Sequence, residues 1–250
     1  MIHIINKMLG RFGYAISNFN KSNGLPTDFE EVHHNIWNKV RDYTMTSPER
    51  IYALTEAVTY INQNKIDGSI VECGVWKGGS MMAVIIRLLE MGNRERSLFL
   101  YDTFEGMSEP TELDVDPLGK TATSLLKERN KTEKDHIWAF SPLEAVKERI
   151  YNTQYPRELI HFVKGKVEET IPKTLPEKIA ILRLDTDWYE STKHELIHLF
   201  PRLIEGGVLI LDDYGHWSGA KKAVIEYIIE NKIKILLNRI DNTGRIGVKQ

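Results

Sequence analysis

From Ser69 onward the chain alternates short apolar runs with stretches of helical character, the runs being SIVECGV, SLFLYD, ELIHFVKG, KIAILRLD and GGVLILDD. Each run is too short for a core helix and too continuously apolar for a half-exposed strand, which makes them five strands buried on both faces. Helices fit between them: Ser80 to Glu90 after the first strand, Ser141 to Ile150 before the third, and Ser191 to Leu203 between the fourth and fifth. Parallel neighbours need a crossover that packs on a sheet face, so this alternation predicts a parallel, doubly wound α/β sheet. Gly219 to Asn231 reads as a further helix, and IKILLNRID-NTG-RIGVK as an antiparallel hairpin turning at Asn242-Thr243-Gly244. The expectation is a mostly parallel seven-stranded sheet ending in that hairpin.

The first 66 residues have a different pattern and are expected to form a helical appendage, a lid or an oligomerisation element, on a domain spanning 67–250. Ser47 is a good cap, Pro48 suits the first helical position, and Ile51, Leu54, Val58 and Ile61 share a face. MIHIINKMLGRFGYAI reads as an amphipathic helix rather than a signal peptide, because it lacks a long apolar centre and a small-residue cleavage site. Its bland role is packing on its own domain or on a second subunit, which makes a homodimer or larger assembly an expectation. With 33 basic and 35 acidic residues the chain has no positive surplus for a nucleic-acid backbone. No run approaches the roughly 20 apolar residues of a membrane span, so stable membrane insertion is not expected. A single cysteine, Cys73, lies within a strand, as expected of a buried apolar residue in a reducing, cytoplasmic setting.

The strand ends carry the chemistry. In an open parallel sheet the ligand crevice lies at the carboxyl ends of the strands. There the fourth strand runs into Asp185-Thr186-Asp187 and the fifth into Asp212-Asp213. Aspartates converging from adjacent strands repel one another strongly without a cation, and clustered oxygens favour a hard divalent ion. The first strand runs through Glu72 and Gly74 to Gly78 and Ser80, a glycine turn that opens a helix and lets the backbone approach a ligand. Trp76 stands where a dinucleotide fingerprint has its second glycine, which disfavours a pyrophosphate and with it a nicotinamide-dependent oxidoreductase. Asp102 and Thr103 end the second strand, where an acidic residue can accept both hydroxyls of an adenosine ribose, as S-adenosylmethionine requires. Val167 and Glu168 come after the third strand, placed to flank the adenine.

Each residue also has a structural role to weigh. Glu72 could complement a helix dipole, and Asp102 could cap the following turn. Asp187 could cap the helix WYESTKHELIHLF in a capping box with Glu190. His216 is a second candidate base or a surface-loop histidine, and the acidic stretch from Glu105 to Asp116 is long enough to act as a lid or merely to solvate a loop.

Four motifs in order, VECGVWKGG, LYDTFEGM, LRLDTDWYEST and GGVLILDDYGHW, resemble the macrocin O-methyltransferase family over about Tyr43 to the C-terminus. The resemblance implies a Rossmann-like methyltransferase fold, S-adenosylmethionine and Mg2+ as cofactors, and a sugar hydroxyl of a glycosylated natural product or glycan precursor as the methyl acceptor. It implies Asp185, Asp212 and Asp213 as metal ligands and Asp187 as general base, with Thr44 near the methionine end of the cofactor. The first forty residues and the stretch from Met107 to Phe140 match least. A catechol-type O-methyltransferase and a non-catalytic S-adenosylmethionine-binding protein are the alternatives, and the intact aspartate set argues against the second.

Overall fold

A computed structural model describes residues 24–250; the amphipathic reading of the first sixteen residues lies outside them. Two helices, α1 (Glu31–Val40) and α2 (Pro48–Gln63), precede the first strand, β1 (Ser69–Cys73). Next come α3 (Gly79–Glu90), β2 (Leu98–Asp102), the short α4 (Ala122–Lys127), α5 (Leu143–Tyr151) and β3 (Ile160–Lys164). One turn of helix, α6 (Val167–Thr170), leads to β4 (Ile179–Leu184), α7 (Tyr189–Leu199), β5 (Leu203–Leu211), α8 (Ser218–Glu230), β6 (Asn238–Arg239) and β7 (Arg245–Val248).

The seven strands lie in the order β3-β2-β1-β4-β5-β7-β6. The first five are parallel, and β7 runs antiparallel to both of its neighbours. The direction of winding reverses between β1 and β4, and that switch point opens the crevice. Register fixes what faces it. Cys73 pairs with Tyr101 on one side and Leu184 on the other, and Leu184 pairs with Leu211. The next residues of the four strands, Gly74, Asp102, Asp185 and Asp212, are therefore set side by side along one rim.

Alternation sends the strand residues into two cores. Ile70, Leu98, Leu100, Ile181, Val208 and Ile210 pack beneath α3 with Leu54, Ala57, Val58 and Ile61 of α2, so α2 shares the core of the sheet. Val71, Cys73, Tyr101, Leu182, Leu184, Leu209 and Leu211 face the other way, against Leu196 and Leu199 of α7 and Val224 and Tyr227 of α8. The α2 start is as expected: the Ser47 hydroxyl accepts from the Arg50 amide, and proline opens the helix.

Two boundaries depart furthest from the sequence expectation, and β3, at the sheet edge, is buried only at Ile160 rather than on both faces. The helix expected to reach Leu203 stops at Leu199, because Pro201 has no amide hydrogen to continue the ladder; a 3-10 turn over Phe200–Arg202 takes its place. Strand β6 keeps only two residues, since Ile233, Ile235 and Leu237 pack against the second core without joining the ladder. None of the helices found among the described residues is long and apolar enough to cross a membrane.

Gly74 shows how closely the rim is built. Its φ is +86°, and a Cβ there would lie 2.0 Å from the Asp185 carbonyl oxygen. Gly74→Ala is expected to cost more than about 3 kcal/mol in urea unfolding; a loss below about 1 kcal/mol would contradict this packing.

Candidate active site

The centre of the site is a cation within a strand. Arg183 belongs to β4, all of whose residues are buried. Its Nη1 donates to Glu72 Oε1 at 2.7 Å, and its Nη2 lies 2.8 Å from Asp185 Oδ2 and 2.6 Å from Asp212 Oδ1. A second arginine, Arg50 of α2, holds the other Asp212 oxygen and donates through Nε to Asp241 Oδ2 at 2.8 Å. Asp241 also accepts from the Ser47 hydroxyl at 2.7 Å and from the Thr243 and Gly244 amides. The cap of α2, the end of β5 and the C-terminal turn are thus tied into one network. Burial pushes the Glu72 carboxyl up to about 7, with Arg183 opposing the shift.

Above this network lies a cavity of roughly 300 Å³. Carboxylate oxygens of Asp185, Asp187 and Asp213 converge in it, all within 4.8 Å of one another. Burial raises all three carboxyls. Asp185 and Asp213 stand well above the usual range, and the Asp187 carboxyl is pushed up to about 7, with Asp185 and Asp212 adding to the effect of burial. Asp213 Oδ2 is buried without a hydrogen-bond partner among the described residues. Three convergent carboxylates, one of them carrying an unpartnered buried oxygen, form a donor set that fits a hard divalent cation.

The structure brings most of the sequence candidates together. Thr44, Gly74, Ser80, Asp102, Thr103, Val167, Glu168, Asp185, Asp187, Asp212, Asp213 and His216 all line the cavity. Glu72 and Gly78 do not: the Glu72 side chain is turned under the cavity onto Arg183, and Gly78 packs on Val146 and Ile150 of α5. Asp102 takes up the structural role weighed for it, accepting from the Phe104 amide at 2.6 Å and from the Val75 and Trp76 amides of the glycine turn at 2.7 and 3.0 Å. Asp212 borders the convergent group, but both of its oxygens are engaged by arginines.

Asp187 is not a helix cap. The N-cap of α7 is Trp188, which makes no side-chain cap bond, and Asp187 sits at φ +67° before it, a carboxylate oxygen within 4.8 Å of those of Asp185 and Asp213. His216 stands at the exposed rim, edge-on to Trp217, and partial burial lowers its pKa, which favours the neutral ring. Arg183, Arg50 and Asp241 escaped the sequence reading. The first had a signal: a charge inside the run IAILRL must be paired if that strand is central. Arg50 and Asp241 had none, since 191 residues separate them.

A β3-β2-β1-β4-β5-β7-β6 sheet with an acidic cavity at its switch point defines the class: a Rossmann-like O-methyltransferase fold. The chain belongs to the macrocin-O-methyltransferase (TylF) family, whose model matches residues 16–247. It is 31% identical over 202 residues to the 8-demethyl-8-(2,3-dimethoxy-alpha-L-rhamnosyl)-tetracenomycin-C 4'-O-methyltransferase of Streptomyces olivaceus, covering 81% of this chain and 74% of that one. It is 31% identical over 204 residues to the demethyldecarbamoylnovobiocin O-methyltransferase of Streptomyces niveus, with the same coverage. Among solved structures, the O-methyltransferase NovP superposes with a TM-score of 0.71 at 30% identity, covering 83% of this chain and 82% of that one. The protein is an O-methyltransferase.

The raised carboxyls have a consequence for stability. A carboxyl whose pKa is higher folded than unfolded costs nothing at a pH below both values. It then withdraws stability as pH rises from the unfolded value through the folded one. For Asp187 that window runs from the usual 3.8 to about 7. The cation-free protein is expected to melt at a lower temperature near pH 8 than near pH 5.5, and Mg2+ to raise the melting temperature more at the higher pH. Melting curves with the same Mg2+ response at both values would contradict this electrostatic picture.

Proposed function

We propose that this enzyme transfers the methyl group of S-adenosylmethionine to a sugar hydroxyl of a glycosylated natural product, with a divalent cation, Mg2+, bound at the ends of β4 and β5. The observation that carries the reading is the convergence of Asp185, Asp187 and Asp213 in the cavity entered by the glycine turn of β1. The substrate class is supported by the relatives: one acts on a rhamnosyl-tetracenomycin C, and a third, 28% identical, is the mycinamicin III 3''-O-methyltransferase of Micromonospora griseorubida.

The chain's own residues divide the work by position. Among the residues lining the cavity, Gly74, Ser80 and Asp102 would border the adenosine and ribose, with Val167 and Glu168 toward the adenine and Thr44 toward the methionine end. Asp185, Asp187 and Asp213 would hold the cation, and Arg183 fixes the Asp185 carboxylate from behind. When bound, the cation would supply the acidity that makes a sugar hydroxyl a usable nucleophile near neutral pH. Holding hydroxyl and sulfonium methyl in line accounts for much of the remaining acceleration. In this reading His216, at the rim and favoured in its neutral form, would accept the proton of the acceptor hydroxyl.

A second reading is favoured by one observation. The Asp187 carboxyl lies at about 7, the range of a proton acceptor. In that reading Asp187 is the general base and Asp212 joins Asp185 and Asp213 as ligand, as the family resemblance implies. Calorimetric titration of Mg2+ into the complex with S-adenosylhomocysteine separates the two. Asp187→Asn is expected to weaken Mg2+ by roughly 10-fold or more and Asp212→Asn by less; the reverse order selects the second reading.

The reading as a whole is tested by titrating S-adenosylmethionine into the wild-type protein and Asp185→Ala. Micromolar binding to both, with methyl transfer lost by roughly a thousandfold in the variant, is expected. Full transfer in Asp185→Ala would sink the metal role, and absence of binding to the wild type would sink the cofactor.

A further inference from the structure

The segment between β2 and α4 holds a carboxylate to which the proposed methyl transfer gives no task. Asp114 is fully excluded from solvent. Its partners are backbone and hydroxyl donors: Oδ2 accepts from the Thr111 amide at 2.7 Å and the Thr111 hydroxyl at 2.9 Å, and Oδ1 accepts from the Tyr189 amide at 2.8 Å. Tyr189 is the first residue of α7, and the N-cap of that helix makes no side-chain cap bond of its own. A carboxylate from 75 residues upstream supplies the missing acceptor, with the polarity a helix N-terminus favours.

The same point gathers the neighbouring elements. The Ser218 hydroxyl, at the start of α8, donates to the Leu113 carbonyl at 2.6 Å and accepts from the Val115 amide at 3.2 Å. Gly219 leaves room for the carboxylate: a Cβ there would lie 1.9 Å from Asp114 Oδ1. The Trp188 indole donates to the Ser108 carbonyl at 3.1 Å, and Ser108 and Met107 line the cavity. One carboxylate therefore joins Thr111 of the segment after β2, the start of α8 and the turn that carries Asp187, and the Trp188 indole of that turn reaches the cavity wall at Ser108.

We propose that Asp114 is a positioning residue: by capping α7 from the segment after β2 it sets the turn that presents Asp187 to Asp185 and Asp213. The stretch read from the sequence as a lid or a solvated loop is, through Asp114, a strut. This inference rests on the reading of Asp187 as part of the cation site.

The test uses Asp114→Ala, Asp114→Asn and Gly219→Ala, with Asp187→Asn for reference. Hydrogen exchange over residues 186–190, Mn2+ affinity by electron paramagnetic resonance, S-adenosylhomocysteine affinity by calorimetry, and melting temperature are read in each. Asp114→Ala and Gly219→Ala are expected to speed exchange at Tyr189 and to weaken Mn2+ by roughly 10- to 100-fold, while S-adenosylhomocysteine affinity stays within about twofold. Asp114→Asn keeps an acceptor for the Tyr189 amide but turns its NH2 toward the Thr111 amide, and should recover part of the Mn2+ affinity lost in Asp114→Ala. Gly219→Ala is the sharper variant, because helix propensity alone makes alanine the better residue in α8. Slower exchange and a higher melting temperature there would mean that the Asp114 contact is absent.

Unchanged exchange in both disruptive variants overturns the proposal, whatever the metal does. Faster exchange with unchanged Mn2+ affinity, in an assay where Asp187→Asn does weaken Mn2+, overturns the positioning role. Failure of the wild type to bind Mn2+ would instead reject the cation reading, and the exchange data would then decide the strut alone.

Discussion

The site depends on one buried guanidinium. Arg183 lies in the most buried strand of the sheet and pairs with Glu72, Asp185 and Asp212, from three adjacent strands. Taking an ion of that size out of water costs several kcal/mol, and only close, hydrogen-bonded partners offset it. The reverse also holds: the carboxylates could not crowd at one strand end without a cation beneath them. Arg183 is therefore the condition under which four aspartates can stand at the ends of β4 and β5. Asp185, held by Arg183 from below, converges in the cavity with Asp187 and Asp213.

The second constraint is register. Because Cys73, Tyr101, Leu184 and Leu211 pair across four strands, the residues after them emerge on one rim, and each then serves a different purpose. Gly74 lets the chain turn against the Asp185 carbonyl, Asp102 ties the glycine turn to β2, Asp185 enters the oxygen cluster, and Asp212 locks to both arginines. The helices before the sheet take part through Arg50 and Ser47, which connect the Thr44–Thr46 wall to Asp241 in the C-terminal turn. Distant segments thereby close one site.

Much of this was legible in the sequence because parallel strands carry their own signature. Continuous apolar runs located all five parallel strands, and the residues just past the end of each run located the rim. The departures have local causes: Pro201 ended a helix early, and Ile233, Ile235 and Leu237 were apolar for packing rather than for pairing. At the site, side-chain identity was readable but side-chain direction was not. Glu72 and Asp212 occupy the expected positions yet point toward arginines, and Asp187 adopts a left-handed backbone that no spacing rule foretells. The roles of Arg50, Asp241 and Asp114 depend on contacts across 75 to 191 residues, which one sequence does not encode in any local pattern.

The central claim is that the carboxylates at the ends of β4 and β5 form a cation site beside the methyl-donor cavity. The most direct measurement is anomalous diffraction from crystals grown with Mn2+ and S-adenosylhomocysteine. The account predicts a single Mn2+ peak in contact with both Asp185 and Asp213, next to density for the nucleoside above the Gly74–Ser80 turn. Nucleoside density without Mn2+ at those aspartates, or Mn2+ bound only elsewhere, would contradict it.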